Sequence, residues 1–238
     1  MHLEEALSSK MDIKAFIFDM DGLLFDSERI VQRSWEMAGD ELGIPHMGDV
    51  IYHTLGMNRT GRNEYFRKYI REDFPFEEFG RLTRDNFWKI VDKEGLPLKK
   101  GVKELLAYGK AQGYKMAVAT SSSREYAMGN LIRAGIDPYF DSVICGDMVK
   151  KAKPDPEIYQ KASESLGIPP EYCMAFEDAP GGILSAHQAG MKVIMVPDLV
   201  QPTEEIRELT YRVCDSLADV IGDGKSGFFP VPGGFQAR

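Results

Sequence analysis

The residues best suited to chemistry are two aspartates, Asp19 and Asp21, spaced by one methionine at the end of the apolar run 15–18. An apolar run of that length, closed by Gly22, reads as a buried strand ending in a turn. Carboxylates there are costly unless a cation or a set of donors satisfies them. The plainer alternative is a pair of solvated acids in a strand-to-loop turn. Later apolar runs also end in polar groups. Thr120 with Ser121, Ser122 and Ser123 follows 116–119, Lys150, Lys151 and Lys153 come shortly after 143–145, and Glu177-Asp178 follows 174–176. Parallel strands share one carboxyl edge, where ligands bind in open sheets. Carboxylates, a hydroxyl and a lysine gathered there would suit a hard divalent cation and a phosphoryl group. Mg2+ takes carboxylate oxygens and leaves room for phosphate and water.

Each later group has a second use. Ser122-Ser123-Arg124-Glu125 fits a capping box, and the helix end it opens also favours an anion. Lys153 precedes Pro154, which biases it to an extended conformation from which it reaches inward. It could equally stay solvated beside Lys150 and Lys151. Glu177 and Asp178 also suit the positive end of a following helix.

The spacing predicts the elements that must position these groups. A strand spans about 13–19, and a helix begins at Asp26 or Ser27 and stops at Gly43 and Pro45. Helices follow at 62–70 and 79–91, where Phe79, Leu82, Phe87, Ile90 and Val91 recur at helical spacing and read as the core of a helical module. From Gly101 onward helices alternate with strands at 116–119, 143–145, 174–176 and 193–196. Such alternation means right-handed crossovers and a parallel sheet. The expected fold is α/β, with a Rossmann-like core of residues 1–26 and 100–238 and a helical cap, 27–99, inserted after the first strand. The stretch 228–238, with Pro230, Pro232, Gly233 and Gly234, reads as a surface extension.

Composition narrows the partners. The 238 residues are 43% hydrophobic and carry a net charge of −8, which supports a packed core and argues against a nucleic-acid partner. A small phosphorylated substrate is compatible with that charge, since a local site can be positive on an acidic protein. The three cysteines, Cys145, Cys173 and Cys214, are odd in number and widely spaced, so they read as reduced buried thiols. No apolar run reaches the ~18 residues of a membrane span, and the acidic start Met1-His2-Leu3-Glu4-Glu5 is unlike a signal peptide. The expectation is a cytoplasmic protein with no membrane partner, a monomer or weak dimer.

The run Phe18-Asp19-Met20-Asp21-Gly22-Leu23-Leu24-Phe25-Asp26-Ser27 resembles the first signature of the haloacid dehalogenase-like superfamily of aspartate-nucleophile phosphohydrolases. Its details are similar to the branch holding β-phosphoglucomutase and many sugar-phosphate phosphatases. Thr120, Lys153-Pro154-Asp155-Pro156 and Phe176-Glu177-Asp178-Ala179 match the remaining motifs in order, so the resemblance runs from Lys14 to Val196. It implies that Asp19 is the nucleophile, forming an aspartyl-phosphate, and that Asp21 is the general acid and base. Thr120 and Lys153, with Ser121 beside them, would hold the phosphoryl group. Mg2+ would be bound by Asp19, Asp178 and the Asp21 backbone carbonyl, with Glu177 in or next to that shell. The family's cap loop is matched by Gly56-Met57-Asn58-Arg59-Thr60, which makes Arg59 the expected substrate contact from the cap.

The departures sort the branches. Mutases carry a cap histidine where this chain has Val31, which favours a phosphatase acting on a small phosphorylated metabolite over a β-phosphoglucomutase-type enzyme. Phosphonatases use a cap lysine, and none lies between Lys14 and Lys68. Dehalogenases lack the acid at the Asp21 position. Outside the enzymes, receiver switches also combine acids, Thr or Ser, lysine and Mg2+, but carry no inserted cap and stop after one phosphorylation.

Overall fold

The computed structural model describes residues 12–54, 59–222 and 229–230. Strand β1 (Ala15–Phe18) lies at the centre of a six-stranded parallel sheet and is buried on both faces. The others are β2 (Lys115–Ala119), β3 (Ser142–Ile144), β4 (Cys173–Glu177), β5 (Lys192–Met195) and β6 (Arg212–Val213), in the order β3-β2-β1-β4-β5-β6. The side chains of β1 alternate between two cores, as strand geometry requires. Phe16 and Phe18 face one, where Phe16 stacks on Tyr114 at 4.2 Å and Phe18 on Phe176 at 4.7 Å. Ala15 and Ile17 face the other, shared with Ala117, Ala175, Ala162 and Ala186. The small residues let helices α7 (Glu157–Leu166) and α8 (Pro180–Gln188) approach that face closely.

Between β1 and β2 run α1 (Ser27–Glu41), α2 (Met47–His53), α3 (Arg59–Tyr69), α4 (Phe76–Glu94) and α5 (Val102–Gln112). The first four share a separate apolar core of Trp35, Met47, Ile51, Phe66, Phe74 and Phe79. The chain leaves and re-enters the sheet side by side. The Asp26 N–H donates to Pro97 O and the Lys99 N–H to Leu24 O, both at 2.9 Å. α6 (Arg124–Ala134) follows β2, and α9 (Glu204–Leu209) follows β5. Among the described residues no helix is long and apolar enough to cross a membrane.

Several elements differ from the sequence reading. The first strand is shorter, 15–18, although the Asp19 N–H still donates to Phe176 O of β4 at 3.0 Å. The helices expected at 62–70 and 79–91 extend to 59–69 and 76–94. α2 was not anticipated: only seven residues long, it follows His46 at φ 63°, and Met47, Val50 and Ile51 form too short a stripe to register as a period. β6, a two-residue strand, carries no pattern at all. The expected surface extension holds a buried residue. Phe229 pairs with Ile221 in a separate two-stranded parallel ladder and packs on Phe16 at 5.1 Å and Tyr114 at 5.8 Å, because the aromatic face around Phe16 needs a cover. Residues 231–238 lie outside the described part.

Candidate active site

The sheet order places the site. The chain runs outward from β1 through β2 and β3 on one side and through β4, β5 and β6 on the other, so a crevice forms at the carboxyl end of β1 and β4. Asp19 leaves β1 there. Thr120 leaves β2 on one flank, and Glu177 and Asp178 end β4 on the other. Lys153 comes in from the loop after β3, on a cis peptide bond to Pro154.

Lys153 points inward. Its Nζ donates to Asp19 Oδ1 at 2.5 Å, to Glu177 Oε1 at 2.7 Å and to Ala119 O at 2.9 Å. Burial alone would lower the pKa of this ammonium, but Asp19 and Glu177 outweigh it and raise it. Glu177 is 1% exposed and its Oε1 also accepts from Tyr159 OH at 2.6 Å. Carboxylate oxygens of Asp19, Glu177 and Asp178 all lie within 4.8 Å of one another. Burial pushes the Asp19 carboxyl up to about 7, against Lys153, with Glu177 and Asp21 adding to the rise. Asp178 is raised well above the carboxylate range by burial, then by Asp19 and Glu177. Three carboxyl groups around one ammonium, two of them with raised pKa values, would be relieved by a bound cation. Two glycines keep the space open. A Cβ on Gly22, which sits at φ +83°, would lie 2.3 Å from Asp178 Oδ2, and one on Gly182 would lie 1.9 Å from Glu177 Oε1.

The side chain of Asp21 does not join the acidic cluster. Its Oδ2 accepts from Ser122 Oγ at 2.7 Å and its Oδ1 from Tyr126 OH at 3.1 Å. The two aspartates of one motif are therefore held differently, one by an ammonium and one by neutral hydroxyls. Thr120 is 1% exposed, and its Oγ1 accepts from the Ser122 N–H at 3.1 Å. The expected capping box does not form, and a single N-cap one residue later takes its place. Ser123, not Ser122, caps α6 by accepting from the Tyr126 N–H at 3.4 Å, because Ser122 is engaged with Asp21. Ser121 is exposed. Arg59 opens α3, and its side chain lies outside the described part.

Sequence reasoning missed Tyr159, Tyr126 and Ser122 as partners of the acids. The tyrosines sit in the first turns of α6 and α7, where an aromatic residue reads as core, and Ser122 read as a cap. It also missed Asp198, whose Oδ1 pairs with Lys99 Nζ at 2.5 Å beside Gly22. Two cavities border the helical module. One of about 380 Å³ is lined by Val31, Trp35, Arg62, Phe79, Thr83 and Arg84. The other, about 250 Å³, shares Val31, Thr83 and Arg84 and reaches Phe87, Trp88 and Tyr126.

Residues 16–196 match the family model described as haloacid dehalogenase-like hydrolase. The chain is 32% identical over 182 residues to the phosphorylated carbohydrates phosphatase of Thermotoga maritima, covering 76% of this chain and 84% of that one. It is 30% identical over 220 residues to the protein CbbY of Cereibacter sphaeroides, covering 88% and 95%. The solved structure of CbbY from Rhodobacter sphaeroides in complex with phosphate superposes with a TM-score of 0.68 at 28% identity, covering 87% of this chain and 96% of that one. With the parallel sheet and the acidic crevice at its carboxyl edge, these likenesses assign the protein: it belongs to the haloacid dehalogenase-like hydrolase family, in the branch of the phosphatases and β-phosphoglucomutase-like enzymes.

Proposed function

We propose that the protein is a Mg2+-dependent phosphomonoesterase acting on a small phosphorylated metabolite, a sugar phosphate or similar, through an aspartyl-phosphate on Asp19. The observation that carries this reading is the Lys153 ammonium shared between Asp19 and Glu177, with Asp178 alongside. Asp19, Asp178 and the Asp21 backbone carbonyl would hold the Mg2+, with Glu177 next to them. When bound, the ion neutralises charge on the phosphoryl oxygens. Lys153 does the same from the protein side, and Thr120 offers its hydroxyl. Positioning and electrostatics supply most of the catalysis in such transfers.

In this reading Asp19 Oδ attacks phosphorus as the bond to the leaving oxygen breaks, and Asp21 delivers a proton to that oxygen. Asp21 then takes a proton from the water that cleaves the acyl-phosphate, which splits hydrolysis into two easier steps. Residues 27–99 serve as the cap over the 1–26 and 100–238 core, and a closed cap excludes bulk water. Val31, lining both cavities, offers no proton-transfer group, which supports hydrolysis over mutase chemistry. The names of relatives support a sugar-like substrate, since one is a phosphatase of phosphorylated carbohydrates.

A panel of phosphorylated metabolites assayed by released phosphate tests the reading. Many turnovers per enzyme are expected with Mg2+ and none in EDTA. Leaving-group release that stops at one equivalent, with the phosphate retained on the protein, would point to a switch, and phosphate release that persists in EDTA would remove the metal from the account.

Stability should report the same cluster. The raised pKa of Asp19 means that folding favours its protonated form. The metal-free protein therefore loses stability as pH rises from about 4, the usual carboxyl value, through about 7, and Asp178 acts in the same direction. In EDTA the melting temperature should fall from pH 5 to pH 8, and Mg2+ should raise it more at pH 8 than at pH 5. Equal Mg2+ effects at both pH values would contradict the assignment.

A further inference from the structure

Asp21 is anchored by two hydroxyls, Ser122 on Oδ2 and Tyr126 on Oδ1. Tyr126 is more than a hydrogen-bond donor. Its ring lies edge-on to Trp88 at 5.6 Å and tilted beside Phe87 at 6.1 Å, both on α4. The same three aromatic residues line the cavity of about 250 Å³ between α1, α4 and α6. One phenol thus touches the acid with its oxygen and the helical module with its ring. A phenol keeps its proton at neutral pH, so it remains a donor to Asp21.

We propose that Tyr126 is a positioning residue for Asp21, orienting the carboxyl that protonates the leaving oxygen and tying that orientation to the cap through Phe87 and Trp88. The inference rests on the phosphatase reading. With Tyr126 donating to Oδ1, the transferred proton is carried on Oδ2, released by Ser122. The proton passes to the ester oxygen as its bond to phosphorus breaks and the bond from Asp19 forms. Asp21 is left as a carboxylate, and Tyr126 keeps its own proton throughout.

A positioned acid counts only where the leaving group needs a proton. A nitrophenolate departs without one, whereas an alkoxide does not. The test is therefore kcat/KM, with Mg2+, for p-nitrobenzyl phosphate and p-nitrophenyl phosphate. The two share an aromatic body, so changes in binding largely cancel in their ratio. Tyr126→Phe keeps the ring and removes the hydroxyl. It should lower the benzyl-to-phenyl ratio by roughly tenfold or more, a fraction of the 10²–10⁴-fold that a general acid contributes. Trp88→Leu keeps the hydroxyl and loosens the ring, and should move the ratio the same way by a smaller factor. An unchanged ratio in Tyr126→Phe, whether both rates drop together or neither does, overturns the proposal. A ratio unchanged only in Trp88→Leu overturns the link to the cap. A wild type that turns over neither ester nor any phosphorylated metabolite of the panel sinks the phosphatase reading itself.

Discussion

Asp19→Asn is expected to fold and to lose turnover on every phosphomonoester by on the order of 10⁴-fold or more, the scale on which a nucleophile's removal registers. The amide has the size of the carboxylate and keeps an oxygen for Lys153, so packing around β1 is preserved. It cannot attack phosphorus. Binding and charge neutralisation by Lys153 remain, so the small residual rate should come from a direct water reaction. Rapid-quench trapping of a phosphorylated protein checks the cause: wild type should carry acid-stable label during turnover, and the variant none. A variant that keeps a tenth of wild-type activity would place the nucleophile elsewhere.

Lys153→Met should strike both stability and rate. Removing the ammonium leaves Asp19, Glu177 and Asp178 crowded in a buried site with no positive neighbour from the protein. Breaking a buried ion pair from one side costs about 3–5 kcal/mol, so a large drop in melting temperature is expected in EDTA. Mg2+ should restore part of that loss, because a cation replaces the missing charge. Activity should not follow. In the proposed reaction the lysine also neutralises the transferring group, and losing one such stabiliser costs about 10²–10³ in kcat. Thermal scans with and without Mg2+, beside kcat, separate the two effects. A variant as stable as wild type in EDTA would show that the acids tolerate one another without Lys153.

The sequence disclosed the strand ends better than their surroundings. β1, β2, β4 and β5 are short apolar runs bounded by turn residues, and their positions follow from that alone. Asp19, Thr120 and Glu177-Asp178 were legible because each stands just past such a run, and parallel topology brings the ends of such runs to one edge; Lys153, farther along the loop after β3, was legible through its joint occurrence with them. Tyr126, Tyr159 and Asp198 were not, since their contacts depend on which helix face or loop folds back over the crevice. No local period encodes that. Phe229 escaped for the same reason: prolines and glycines around it describe a loop, while its burial is decided by an aromatic face two hundred residues earlier. Arg59 was legible only through the resemblance.

The strand bearing Asp19 is first in chain order and central in the sheet. Its neighbours begin at residues 115 and 173, so neither edge of Ala15–Phe18 finds its partner locally. During synthesis this four-residue apolar segment leaves the ribosome with both edges unpaired and waits for most of the protein to follow. Long-range parallel pairing is slow, and exposed apolar edges associate with other chains in the meantime. The geometry that puts Asp19 between Thr120 and the acids of β4 thus also leaves one edge of this strand unpaired in the nascent polypeptide until β4 has emerged.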